Sequence, residues 1–243
     1  MMRVLLVRHA QAAFDQDDYD RLSPLGWRQA ARLGAWWRAE SCVPDAVWTG
    51  GLRRQVETAR ACLAALAAQG QGMPPLRVEP ALREFDHREI FYRHRPDLLD
   101  AAALARWKQE SADYSATFAQ TYGAALARWM DGRFGADYAE SWPQFQARCL
   151  GGVSALIAAA VNHGHGCIAV FTSAGPISTI IQACRDVPDA QLAALQSSLA
   201  NTGVTELQVV PSAASGAPVS TWQLHSVNAT PHLASCPQDL SWR

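Results

Sequence analysis

The sequence predicts an α/β fold: a three-layer α/β/α sandwich, its sheet mostly parallel with antiparallel strands at one edge, and with a helical insertion. Three observations predict it. Short apolar runs at residues 2–7 and Cys167–Thr172 are bounded by polar residues, as strands buried on both faces are. Segments with helical spacing alternate with these runs, which calls for helices on both faces of a sheet. Near the C-terminus, Val204–Val210 and residues 219–227 alternate well enough to form two antiparallel strands. The 243 residues, 49% of them apolar, suffice for one sizeable core, and residues 1–243 are read as a single domain.

The elements follow in order. The first strand, MRVLLV, ends abruptly in Arg8-His9. After a polar loop, Ser23-Pro24 reads as a helix cap followed by proline at the first helical position. That helix continues through Gln29, Ala30, Leu33 and Trp36-Trp37. Residues 45–49 form a second strand, and Gly50-Gly51 open a helix through Thr58, Leu63 and Leu66. QGQGMPP, residues 69–75, is a loop. From about 85 to 145 the chain turns rich in Ala, Arg and aromatics, with helical spacings such as Leu99, Ala103 and Trp107. This stretch is the helical insertion, covering one end of the sheet. A helix at 143–160 stops before HGHG, Cys167–Thr172 is the next strand, and helices follow at 177–184 and 189–199. PSAASGAP joins the last two strands.

Composition excludes several classes of function. A formal charge of -1 and a pI near 6.6 argue against nucleic-acid or membrane-surface binding, which favours a basic excess. The N-terminal apolar run holds four residues, too few for a signal-peptide core, and no stretch is read as reaching the roughly 20 apolar residues of a membrane span. The six cysteines are scattered without a CxxC pair and read as reduced thiols, mostly in the core. These features point to a soluble cytoplasmic protein. His163 and His165 flank Gly164 at the amino end of a strand, away from any strand-end site, and no metal site is expected there.

In open α/β sheets ligands bind at the carboxyl ends of strands. Arg8-His9 stands at one such end, Thr172-Ser173-Ala174-Gly175 at another, and Gly50-Gly51 with Arg53 and Arg54 at a third. An imidazole, guanidinium forks, a hydroxyl and helix N-terminal N–H groups suit a phosphate dianion.

The order of motifs LLVRHAQA, LSPLGWRQA, TGGLRRQVETA and LREFD resembles the histidine phosphatase (phosphoglycerate mutase-like) superfamily, and ESWPQFQARC, LANTGVTEL and VNATPHL resemble its later segments. The resemblance covers nearly the whole chain and is weakest across the insertion. It implies that His9 is the nucleophile, forming a phosphohistidine; that Arg8 and Arg54 clamp the phosphoryl oxygens; and that Glu84 protonates the leaving oxygen and then serves as base for water. Ser173, Ala174 and Gln11 would add contacts to the phosphate. Arg53 is the alternative clamp and Asp86 the alternative acid, while Thr58 and Gln29 read as capping or packing residues. The scheme needs no cofactor and no metal.

The sequence departs from the family at one point. Where the family carries a second histidine after its later strand, this chain has Ser173. Losing one donor to a developing charge costs about 3 to 4 kcal/mol, or roughly 10²- to 10³-fold in rate. One of His87, Arg88, Arg93, His94 and Arg95 could compensate by folding over the pocket; otherwise the group is a solvated basic face. The implied function is therefore phosphomonoester hydrolysis, slow or atypical, on a small phosphorylated metabolite or a phosphoprotein side chain. The alternatives are an impaired enzyme that only binds a phosphorylated ligand and, third, a phosphoglycerate mutase. His232 reads as a packing residue. A homodimer through the C-terminal edge strands is allowed, though nothing requires it.

Overall fold

A computed structural model describes residues 2–13, 20–67, 72–210 and 221–242. Six strands form one sheet in the order β3-β2-β4-β1-β5-β6: β1 Met2–Arg8, β2 Ala46–Thr49, β3 Leu76–Val78, β4 Cys167–Thr172, β5 Val204–Val210 and β6 Thr221–Ala229. The β1–β4, β2–β4 and β2–β3 pairs are parallel, while β5 runs antiparallel to both β1 and β6. The antiparallel pairing lies at one edge, as the sequence predicts. Within it β5 is the reversed strand, and the edge strand β6 points the same way as the parallel set.

Side-chain alternation explains the layers. Val4 and Leu6 of β1, with Ile168 and Val170 of β4, face one core that also takes Val153, Leu156 and Ile157 from α6 (Trp142–Asn162) and Ile177 and Ile180 from α7 (Ala174–Arg185). Leu5, Val7, Ala169 and Phe171 point the other way. They meet Leu33 and Trp37 of α1 (Pro24–Ala39) and Cys62 and Leu63 of α2 (Arg53–Leu66). Both faces of the central strands are thus covered, which is why those strands read as continuous apolar runs.

The stretch after β3 is helical: α3 His87–His94, α4 Ala101–Glu110 and α5 Tyr114–Met130. Its rear packs on a cluster of Phe85, Ile90, Leu126, Trp129, Trp142 and Phe145. The short helix α8, Asp189–Ser198, adds Leu192 to that cluster.

Four findings depart from the expectations. β3 was not foreseen: it has three residues, all at least partly exposed, too short to show a period. The α2 helix starts at Arg53, because Gly50 and Gly51 form the turn before it; Gly51 has φ +92°, a left-handed conformation that favours glycine. By length and composition α6, at 21 residues, is apolar enough to cross a membrane, although its inner face packs against the sheet. Of the six free cysteines only Cys62 and Cys149 are fully buried. Residues 69–71, the PSAASGAP loop and residues 219–220 lie outside the described residues.

Candidate active site

Parallel pairing puts the carboxyl ends of β1, β4 and β2 side by side, with Arg8 opposite Thr172 and Thr49 opposite Phe171. The chain leaves β1 through His9, whose backbone N–H donates to Thr172 O at 2.8 Å. Its imidazole Nδ1 lies 2.8 Å from Ala10 O. A carbonyl can only accept, so Nδ1 carries the proton and Nε2 carries the lone pair. Nε2 accepts from Arg54 Nε at 3.1 Å, which agrees with that tautomer. Burial, together with the guanidinium groups of Arg54 and Arg8, holds the imidazole pKa well below its ordinary 6.5. At pH 7 the ring is therefore neutral, with its lone pair on Nε2.

Arg54 reaches the site from the first turn of α2, and its Nη1 pairs with Asp20 Oδ1 at 2.7 Å. Arg53, the alternative clamp, is exposed and donates from Nε to Glu57 Oε1 at 2.7 Å. Arg8 donates to Leu199 O and, at 3.1 Å, to Trp242 O. Both contacts fix its guanidinium beside His9.

Glu84 arrives on the segment after β3. Thr172 Oγ1 donates to Leu82 O at 2.6 Å, and Arg148 Nη1 on α6 donates to Ala81 O and Arg83 O at 2.8 and 2.9 Å. The Glu84 carboxylate accepts from the N–H of Gly175 at 3.1 Å and of Phe85 at 3.2 Å. Burial raises its pKa above the ordinary 4.5; the two N–H donors and Arg54 work against that rise without cancelling it. Asp86, the alternative acid, caps α3 by accepting from the N–H groups of Arg88 and Glu89. Its position is explained by the helix end it satisfies.

Gly175 is tightly placed. A Cβ there would collide with Glu84 Oε1 and stand 2.7 Å from Phe85 Cε1. Gly175→Ala should therefore displace the carboxylate, and a shift of about 1 Å can cost on the order of 10²-fold in rate. The expected outcome is a lower kcat with no gain in Tm, despite alanine's better helix propensity; unchanged kcat would mean that the carboxylate position is not critical.

Arg8, His9, Arg54, Glu84, His87 and Ala174 meet at the floor of one cavity of about 580 Å³. Two residues expected at the phosphate stand elsewhere. Ser173 is fully buried behind that floor, and its hydroxyl accepts from Gln55 Nε2 at 2.8 Å. Gln11 Oε1 accepts from Ser23 Oγ at 2.7 Å, at the start of α1. Neither lines the cavity; local partners hold both side chains away from it.

The basic cluster divides. Arg93 lies 3.6 Å from Glu89 and Arg95 lies 2.7 Å from Asp97 on the outer surface, whereas His87 turns inward. Burial and the Arg54 charge push His87 down to about 4.

Several supporting residues lay in the quoted motifs, Thr58 and Gln29 among them as capping or packing residues. Thr58 Oγ1 accepts from Ala10 N–H at 3.0 Å and donates to Arg54 O at 2.6 Å, tying the histidine loop to α2. Gln29 accepts from Gln11 N–H at 2.9 Å and donates to Asp239 O at 2.7 Å. Asn201, from the LANTG segment, donates to His9 O at 3.0 Å. Asp20 carried no signal beyond being an acid in a polar loop. His232 is buried with Nε2 2.8 Å from Thr202 Oγ1, a packing position. His163 and His165 stack on each other, and among the described residues no group of three or more His, Cys, Asp or Glu could hold a metal ion.

Solved structures share this architecture. A mycobacterial glucosyl-3-phosphoglycerate phosphatase in complex with inorganic phosphate is 22% identical, covers 96% of this chain with 100% of its own, and has a TM-score of 0.60. A structure described as mycobacterial hydrolase 2 is 22% identical over 94% of this chain and 91% of its own, with a TM-score of 0.64. A phosphoglycerate mutase from Bacillus anthracis is 16% identical over 96% and 95%, with a TM-score of 0.62. At such identities the likeness is one of fold. No curated protein sequence matches the chain. The sequence itself carries the stronger link, from the Arg-His strand end through the clamp and acid segments: residues 4–216 match the family profile of the histidine phosphatase superfamily (branch 1), and the chain belongs to that superfamily.

Proposed function

We propose that the protein is a phosphomonoester hydrolase working through a phosphohistidine on His9. The observation that carries this reading is the convergence on one cavity floor of a neutral imidazole, two guanidinium groups and a carboxyl group with a raised pKa. His9 Nε2 attacks phosphorus as the ester P–O bond breaks, and Glu84 gives its proton to the departing oxygen. A water then attacks the phosphohistidine, Glu84 takes the water's proton, and Nε2 leaves as orthophosphate forms. Arg8 and Arg54 neutralise the charge that spreads over the phosphoryl oxygens. No step calls for a metal ion.

In this reading His87 takes the part for which family members use a histidine at the position of Ser173. Burial first, and then the charge of Arg54, hold His87 neutral. A phosphate dianion opposes the Arg54 charge and favours a protonated donor. His87→Ala is expected to lower kcat/KM by about 10²-fold. Ser173→Ala should change kcat/KM little; leaving the Gln55 amide unpaired instead costs roughly 1–3 kcal/mol of stability, read as a lower Tm. The reverse pattern would restore Ser173 as the phosphate contact.

The direct test is rapid acid-free quenching during turnover, followed by mass spectrometry of the peptide carrying His9. An added phosphoryl mass on His9 supports the scheme. Orthophosphate release with no trace of that adduct, at any quench time, counts against it.

A further inference from the structure

We infer that the cavity is built for phosphomonoesters whose alcohol carries a planar aromatic group, an inference that rests on the phosphatase reading and names its substrate class. Above the polar floor the wall is made of rings from three helices of the insertion: Phe91 and Tyr92 of α3, Trp107 of α4, and Tyr114, Phe118 and Tyr122 of α5. Trp242, nearly half exposed, joins them at the C-terminus.

These rings are ordered. Phe91 and Phe118 stack with centroids 5.4 Å apart and planes 26° apart, and Phe118 and Tyr122 stack at 5.9 Å and 5°. Trp107 meets Tyr114 edge to face at 5.4 Å, and Tyr114 lies 6.0 Å from Phe118. The result is a flat-faced wall with room left beside it.

The wall is not a core that merely happens to border the site. The filled core of the insertion lies behind it, around Trp129, Trp142 and Phe145. Tyr114 and Phe118 keep 38% and 39% of their surface exposed, and no residue of α4 is fully buried. Apolar surface on this scale, left open and continuous with a catalytic floor, marks a ligand contact.

Its chemistry selects the ligand. A sugar or glycerate group entering here would lose water from several hydroxyls against the ring faces; beyond the floor the polar groups are Arg88, Lys108, Gln196, Ser197 and the hydroxyl and indole N–H groups that Tyr92, Tyr114, Tyr122, Trp107 and Trp242 carry on their ring edges. An aromatic group loses no such hydration and gains offset or edge-on ring contacts. The volume of about 580 Å³ accommodates a phosphoryl group with a two-ring system attached.

The test separates binding from turnover. Affinities of naphthylmethylphosphonate and methylphosphonate, neither of which can be hydrolysed, are measured by calorimetry on the full chain. Naphthylmethylphosphonate is expected to bind at least tenfold more tightly. In parallel, kcat/KM is measured for 2-naphthylethyl phosphate and glycerol 1-phosphate, two alkyl esters, so that leaving-group acidity does not decide the ratio. A ratio of at least ten is expected, and it should shrink towards one in Phe118→Ala and Trp107→Ala. Hydrolysis dependent on His9 but with ratios near one in both assays overturns the aromatic assignment and leaves the phosphatase reading standing. Tight naphthylmethylphosphonate binding without any His9-dependent hydrolysis keeps the ligand class and removes the phosphatase reading.

Discussion

Replacing His9 with alanine is expected to abolish para-nitrophenyl phosphate hydrolysis between pH 5 and 8, a loss on the order of 10⁴-fold or more in kcat. The size of the loss follows from the geometry. Nε2 is the lone-pair nitrogen, its partner Nδ1 is held protonated by Ala10 O, and the flanking guanidinium groups of Arg54 and Arg8 carry no lone pair with which to attack. Among the described residues of the floor, no other lone-pair nitrogen stands at the β1 strand end. His87 is neutral too, but it approaches from α3 and not from the β1 strand end. The variant should still bind inorganic phosphate through Arg8 and Arg54, which distinguishes a lost nucleophile from a collapsed site. Steady-state rates and phosphate calorimetry on the same preparation make the measurement. Activity within tenfold of wild type would end the phosphohistidine scheme. Intact phosphate binding in a wild type with no turnover would support a protein that only recognises its phosphorylated ligand.

The parts of this site that could be read from sequence are those set by local rules. The apolar run of β1 ending in Arg8-His9 marked a buried strand with chemistry at its carboxyl end, because parallel strands are covered on both faces. Ser23-Pro24 marked the start of α1, and Ser23 Oγ accepts from Gly26 N–H as a cap does. The motif resemblance preferred Arg54 to Arg53, and of the two it is Arg54 that points inward. What escaped depends on distant residues meeting. The hydroxyl of Ser173 was assigned to the phosphate because it follows β4, but a buried Gln55 amide from α2 holds it behind the floor. His87 was one of five basic residues that could fold over the pocket or form a solvated face, and sequence could not say which of them turned inward. Its inward turn depends on Asp86 starting α3 where it does, and on Arg54 standing across the cavity. The same holds for the aromatics of 85–145, which sequence could not divide between a private core and a wall. Trp129 and Phe145 fill the former, Phe91, Trp107 and Phe118 form the latter, and Phe85 borders both. The strand β3 escaped for a simpler reason: three half-exposed residues carry no period.

Glu84→Gln should divide substrates by the basicity of their leaving groups. The carboxyl must be protonated to serve as acid, and burial raises its pKa, so the competent form persists to higher pH than for an ordinary carboxyl group. His9 must be neutral, and its pKa is depressed, so the competent nucleophile persists to lower pH than an ordinary imidazole. Activity on alkyl phosphates is thus expected to fall as pH rises through the raised Glu84 value and to fall again as pH drops through the lowered His9 value. In Glu84→Gln the alkaline arm disappears, because the amide does not titrate. kcat/KM for glycerol 1-phosphate should drop by about 10²- to 10⁴-fold, since its alkoxide cannot leave without a proton. kcat/KM for para-nitrophenyl phosphate should drop far less, as nitrophenolate leaves unaided. Its kcat should still fall, because the same residue activates water in the second step. The two effects together predict a burst of one nitrophenolate per enzyme followed by slow turnover, visible by stopped flow. Equal losses in kcat/KM for both esters would mean that the proton comes from elsewhere. With Asp86 capping α3, His87 would then be the group to examine.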